Sequence, residues 1–166
     1  MYRRMVTSAV LAVALLAGLV PFASTASAMN IGHEGCTPGY WKNHVENWQE
    51  VTPDTTLGTL GVRVAGWSFG TDNAEYGSWT ILQALNAKGG TGISGATEIL
   101  IRAGSAAWLN AAHEGMGYPY RRYSTGLDGS KPLIDLLNTA LTSGSRSKML
   151  SLATTLDDAN NLGCPL

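Results

Sequence analysis

Two cysteines, Cys36 and Cys164, constrain the fold of this 166-residue chain more than any other feature, because nearly the whole of its predicted mature part lies between them. Two cysteines allow only one intramolecular pairing. In the chain-entropy account, closing a loop of this size stabilises the folded state by about 4 to 5 kcal/mol. We therefore predict one domain whose two ends are joined by a disulfide.

The amino terminus has the pattern of an export signal. The basic pair Arg3-Arg4 precedes an apolar stretch from Val10 to Phe22, and small residues follow as far as Ala28. This order is typical of a signal peptide, and the apolar stretch is shorter than the roughly 20 residues of a membrane span. We predict that residues 1–28 are removed and that residues 29–166 form one secreted domain, extracellular or associated with the cell wall. Oxidising surroundings there favour the disulfide.

Charge and length are those of a single domain without a nucleic-acid-binding face. The chain carries 11 basic and 12 acidic side chains, and the basic ones are scattered along it. Because nucleic-acid recognition needs a concentrated basic face, we expect no nucleic-acid partner. No second long apolar stretch follows the signal, so we expect no membrane-spanning segment in the mature chain.

Hydrophobic spacing predicts a mainly α fold, a compact bundle of about five helices. Thr37 and Pro38 have the pattern of an N-cap and a first-turn proline, after which Trp41, Val45 and Trp48 recur at helical spacing. Further stripes, each ended by glycines or opened by a capping serine, predict the remaining helices at positions 76–88, 94–113, 132–143 and 145–156.

Two segments do not follow this pattern. Residues 57–69 alternate apolar side chains with glycines, which fits either a short β-hairpin or an extended loop packed on the helices. Residues 116–129 contain three tyrosines, one proline and three glycines. We interpret them as an ordered loop whose tyrosines are well placed to be exposed.

Several motifs resemble those of a family of secreted bacterial proteins. The run CTPGYWKNH at 36–44 with Trp48, the segment Leu109–His113 followed by Tyr118-Pro119, and a GCPL-like tail carry the resemblance. It spans nearly the whole mature chain. It implies an extracellular setting and one shared domain, and no reaction, because no activity is established for the family.

The run at 36–48 is first of all a signature of the fold. We expect Pro38 and Gly39 to shape its turn, and Tyr40, Trp41 and Trp48 to pack, because large aromatic residues on apolar faces are usually core. Lys42, Asn43 and His44 either satisfy backbone groups or face a ligand. For His44 in particular, a buried imidazole bonded to backbone is the ordinary structural alternative.

The candidate ligand-binding residues are the polar end of this signature and the tyrosines of the loop. An aromatic platform with amides such as Asn43 and Asn47 nearby suits sugar rings or a protein surface, and exposed tyrosines beside arginines suit a contact patch. The full candidate set is Lys42, Asn43, His44, Tyr118, Tyr120 and Tyr123.

Catalytic and metal-binding patterns are weaker. His33-Glu34 and His113-Glu114 lack the spacing of zinc motifs, so we expect no metal and no cofactor. The run at 66–70 matches Gly-x-Ser-x-Gly, but it lacks the strand and helix that make such a serine a nucleophile. The sequence therefore predicts a secreted binding or structural module whose partners are cell-wall polysaccharide or other surface proteins.

The alternative is a small extracellular hydrolase. It would use His44 or His113 as general base with Glu34, Glu46 or Glu114.

Overall fold

The computed structural model describes residues 30–64 and 75–166. The predicted signal peptide and the Gly-x-Ser-x-Gly match at 66–70 lie outside these residues. The described ranges are mainly helical, as predicted. Their six α-helices, with one 3₁₀ turn at Val45–Asn47 after the first, are α1 (Pro38–Asn43), α2 (Glu75–Ser78), α3 (Ile81–Leu85), α4 (Gly92–Ala112), α5 (Leu133–Thr142) and α6 (Arg146–Asn160).

Helix α4 is the centre of the fold, and α1, α3, α5 and α6 all pack against it. Most of its length is buried, because small residues on several faces let other helices approach closely. A Cβ placed on Gly104, for instance, would lie 2.7 Å from Cδ2 of Leu137 in α5. Helix α6 makes the most extensive contact with α4.

Local signals set the start of α1 and the turn between α5 and α6 where the sequence predicts them, but the predicted extension of the first helix to Trp48 is wrong, because α1 ends at Asn43 and a 3₁₀ turn follows. Thr37 Oγ1 accepts a hydrogen bond from the N–H of Tyr40, and Pro38 occupies the first turn of α1. Gly144 adopts a positive φ of 61° between α5 and α6, and the Ser145 side chain then caps α6. The predicted helical hairpin at the carboxyl end is confirmed.

The predicted single helix at 76–88 is wrong, because Thr80 interrupts it. Thr80 is extended (φ −74°, ψ 160°), and it forms a capping box with Gln83 that starts α3 anew. A residue that caps a helix cannot lie in the interior of the preceding one. The segment is therefore two short helices.

Of the two alternatives for the glycine-rich segment, its described part, residues 57–64, is the extended loop. Its backbone forms turns, such as that from the N–H of Gly61 to the carbonyl of Gly58. The neighbouring Thr56 makes a single isolated bridge to Thr80. Leu57, Leu60 and Val62 are buried on the helices. Residues 65–69 of this prediction lie outside the described part.

The two ends of the domain meet at the predicted disulfide, Cys36–Cys164, whose Cα atoms are 4.5 Å apart. Beside it the N–H of Gly35 donates to the carbonyl of Gly163 over 2.9 Å. A Cβ on Gly35 would lie 2.1 Å from the carbonyl oxygen of Ala159, so only glycine fits where this segment crosses the end of α6.

Among the helices that the structure describes, none combines the length and the apolar character that a bilayer crossing requires.

Candidate functional site

A buried polar network holds the CTPGYWKNH signature on the core. The side chain of Asn110, in α4, is fully buried. Its Oδ1 accepts from the N–H of Cys36 (2.8 Å) and from Nε1 of Trp41 (2.9 Å), and its Nδ2 donates to the carbonyl of Cys36 (2.9 Å) and to Oδ1 of Asn160 (2.8 Å). One amide thus positions both the disulfide and the central tryptophan of α1.

The network continues into α6 and the tyrosine loop. Oδ1 of Asn160 also accepts from the hydroxyl of Tyr118 (2.9 Å), and its Nδ2 donates to the carbonyl of Ala103 (3.0 Å). Burial raises the pKa of Tyr118 well above its ordinary value. Tyr118 is therefore a core residue, and our expectation that it is exposed is wrong.

The three tyrosines of the loop do not form one surface. Tyr120 is buried like Tyr118, whereas Tyr123 is 65% exposed. Pro119, between the two buried tyrosines, is buried as well, so the whole run from Tyr118 to Tyr120 belongs to the core. Of the predicted tyrosine patch, only Tyr123 faces solvent.

Tyr123 belongs to a separate cluster. Its ring lies edge-on to Trp108, with centroids 5.3 Å apart. The guanidinium of Arg122 lies 5.9 Å from the Trp108 ring centroid and 5.8 Å from that of Tyr123, and it pairs with Glu50 over 2.6 Å. The arginine is thus held by partners within the domain.

The aromatic signature residues pack as expected. Trp41 is fully buried and lies edge-on to Tyr40, with centroids 5.3 Å apart. Nε1 of the half-buried Trp48 donates to the carbonyl of Trp41 over 2.9 Å. Pro38 and Gly39 form the first turn of α1. These residues fix where the polar end of α1 lies.

That polar end forms a surface that we call the α1 ledge, consisting of Tyr40, Asn43, His44, Glu46 and Asn47. The side chain of His44 is 46% exposed, and its ring stacks on Tyr40 with centroids 4.4 Å apart and planes at 25°. Its Nδ1 lies 3.0 Å from Oε1 of Glu46. The alternative of a buried imidazole is wrong, because α1 ends at Asn43 and His44 turns away from the core with φ −130° and ψ 58°.

The amides of the ledge are fixed as well. Nδ2 of Asn47 donates to the hydroxyl of Tyr40 over 2.6 Å, and Nδ2 of Asn43 donates to the carbonyl of Gly39 over 2.8 Å. The pKa of Glu46 is lowered, first by a hydrogen bond from its own backbone N–H and then by His44. The ledge therefore presents a carboxylate, amides and a stacked ring in fixed positions.

Lys42 lines a different feature, a groove of about 660 Å³ that we call the basic groove. Lys88, which follows α3, and Arg102 of α4 line it together with Lys42. Asp157 of α6 is the carboxylate in its lining. Sequence analysis did not identify Lys88 or Arg102, because neither belongs to a motif and only the packing of α3 and α4 brings them beside α1.

Two other residues of the hydrolase alternative, Glu34 and His113, have surroundings of their own within the fold. Glu34 is engaged by backbone, since its two oxygens accept from the N–H groups of Asn30 (2.7 Å) and Gly117 (2.6 Å). These bonds lower its pKa, that of Gly117 most. Burial lowers the pKa of His113, whose ring centroid lies 6.2 Å from that of Trp41. Of the candidate pairs, His44 and Glu46 are in hydrogen-bond contact.

Within residues 30–64 and 75–166, no three histidine, cysteine, aspartate or glutamate side chains lie close enough together to hold a metal ion.

In comparisons with known proteins, no family model, no curated protein and no solved structure matches this chain.

Proposed function

We propose that this protein is a secreted binding module that holds polysaccharide at the cell surface through the α1 ledge. The observation that carries the proposal is the half-exposed His44 ring, stacked on Tyr40 and flanked by fixed hydrogen-bonding groups. A sugar ring has apolar C–H faces and a rim of hydroxyls. A flat ring with a carboxylate and amides around it complements both features.

The way the ledge is supported favours binding. Trp41, directly beneath it, is anchored to Asn110, and the chain enters α1 from the disulfide at Cys36. Side chains that are already fixed lose less conformational entropy when a ligand binds. A site built on such a rigid base holds its geometry without the ligand.

The extracellular setting is part of the proposal. A disulfide that joins the ends is favoured in an oxidising compartment, and the amino-terminal pattern predicts export. Cell-wall polysaccharide carries the ring faces and hydroxyls that the stacked ring and the amides of the ledge complement. We therefore favour it over protein partners.

The test is a binding assay of the oxidised mature domain on purified cell walls and on a panel of insoluble polysaccharides. We expect saturable binding that falls at least about tenfold in His44→Ala, because the ring that stacks on the sugar is lost, while the melting temperature stays close to that of the parent. Tyr123→Ala, at the separate exposed aromatic cluster, is the matched control and retains binding. Absence of saturable binding to every wall and polysaccharide refutes the proposal, and loss in Tyr123→Ala alone refutes the assignment to the ledge.

A second candidate function rests on the 3.0 Å contact between His44 and Glu46. A carboxylate bonded to one imidazole nitrogen orients the other as a general base, which is the arrangement that a hydrolase needs. The test is release of reducing ends from the polysaccharides that bind. Hydrolysis that disappears in Glu46→Gln while binding persists supports this candidate, and binding without hydrolysis by the parent protein refutes it.

A further inference from the structure

We infer that the ligand of this protein is an anionic polysaccharide, whose acidic groups lie in the basic groove while a sugar ring contacts the α1 ledge. This inference rests on the proposed function and names the class of its ligand. It follows from the charges that three distant parts of the chain bring together beside α1.

The cations of the groove are free to bind a ligand. Within the described ranges, Lys42, Lys88 and Arg102 form no ion pair with a carboxylate. Lys42 and Lys88 are exposed, whereas Arg102 is half-buried and held by a bond from its Nη1 to the carbonyl of Ala87 (3.2 Å). A carbonyl leaves the charge of a guanidinium uncompensated, so the groove is lined by one half-buried, hydrogen-bonded cation and two exposed ones.

The carboxylates near the groove do not cancel this charge. Asp157 lines the groove together with three cations, so the positive side chains outnumber the negative one. Glu98 lies beside Lys88 in a neighbouring hollow, where one of its oxygens accepts from the N–H of Gly89 over 3.0 Å. The chain as a whole carries 12 acidic and 11 basic side chains. A locally positive groove on a protein without net positive charge attracts acidic ligands selectively, since the remaining surface does not attract them.

The groove and the ledge are continuous along α1. Lys42 and Asn43 are consecutive residues, and one lines the groove while the other belongs to the ledge. Gly39 connects the two features directly, because it lines the groove and its carbonyl accepts from Asn43. A linear polymer that crosses α1 therefore contacts both features at once, which a compact anion does not.

The experiment measures binding of the oxidised mature protein to three soluble polymers of matched length: a polyuronate, a glycan with phosphodiester links, and the neutral glucan dextran. We expect at least one acidic polymer to bind roughly tenfold more tightly than dextran at low salt. The advantage should shrink in about 0.5 M salt, where charges are screened over a few ångströms. The two acidic polymers distinguish carboxylate from phosphate as the group that is bound.

Charge-removing variants locate the site. We expect Lys88→Gln to weaken binding of the acidic polymer about threefold and the double variant Lys42→Gln/Lys88→Gln about tenfold. The control, Lys131→Gln/Lys148→Gln, removes the same charge from a separate groove lined by α5 and α6, and it should retain full affinity.

The possible failures are distinguishable. Equal binding of acidic and neutral polymers overturns the inference and leaves the proposed function standing, whereas absence of binding to every polysaccharide refutes both. An equal loss in the control variant overturns the groove as the site. Polyaspartate that binds as tightly as the acidic glycans shows that charge alone is recognised, and this too overturns the inference.

Discussion

Replacing the buried Asn110 by Leu should destabilise the protein far more than the same replacement of Asn138, an asparagine at the surface. The substitution preserves side-chain size but leaves three buried groups without their partner, namely the N–H and carbonyl of Cys36 and Nε1 of Trp41. Each buried polar group left unsatisfied costs about 1 to 3 kcal/mol. Because neighbouring losses are not additive, we expect the free energy of unfolding to fall by about 4 kcal/mol, a large part of the roughly 5 to 15 kcal/mol typical of a domain.

Asn138→Leu is the matched control. Asn138 also bonds backbone through both ends of its amide, accepting from the N–H of Arg63 (2.7 Å) and donating to the carbonyl of Gly61 (3.0 Å). These bonds are at the surface, where water replaces a lost partner, so we expect a cost of about 1 kcal/mol. The assay is urea unfolding of both oxidised variants, followed by tryptophan fluorescence. Equal costs, or a cost below about 1 kcal/mol for Asn110→Leu, would refute the role of the network.

Three further predictions concern the ends of the domain. Gly35→Ala should lower the free energy of unfolding by about 2 kcal/mol, because the added Cβ meets a helix carbonyl. The control is Gly39→Ala, whose added Cβ has its nearest neighbour at 3.5 Å, and it should cost less than half as much in thermal melts. Similar costs for the two variants would contradict the close approach at Gly35. Reducing the disulfide should lower the free energy of unfolding by about 4 to 5 kcal/mol. Chemical denaturation with and without reductant measures this loss, and an unchanged denaturation midpoint would contradict the prediction. Because the pKa of Glu34 is lowered in the fold, its stabilisation is complete above the ordinary glutamate pKa of about 4.3 and is lost as pH falls through the folded value. Glu34→Gln should therefore flatten the acid limb of stability against pH, and parallel curves for the variant and the parent would refute the assignment.

The start of α1 and the carboxyl-terminal hairpin were predictable because their signals are local. Thr37-Pro38 and Gly144-Ser145 specify backbone conformation within one turn, whatever packs on them. Thr80 carries the same kind of signal. It was missed because the hydrophobic spacing continues through it, and a capping box overrides spacing.

The candidate site was predictable only in part. His44 has helical spacing to Trp41, which predicts burial, but α1 ends one residue earlier and the ring turns outward. The burial of Tyr118 depends on Asn160, 42 positions away. No local pattern specifies such a contact. The motif Leu109–His113 did contain a signal for the network, since a fully buried Asn110 needs several partners.

The disulfide also decides how the domain responds to mechanical force. When a load is applied at the two ends of the domain, it passes from Cys36 to Cys164 through the disulfide. The Cα atoms of these two residues are 4.5 Å apart. The helices between them carry none of the load. Without that bond, unfolding the intervening residues would lengthen the chain by about 430 Å, at about 3.4 Å per residue. If the domain is loaded between its two ends, the oxidised form is therefore an inextensible link, whereas the reduced form lengthens once the load unfolds it.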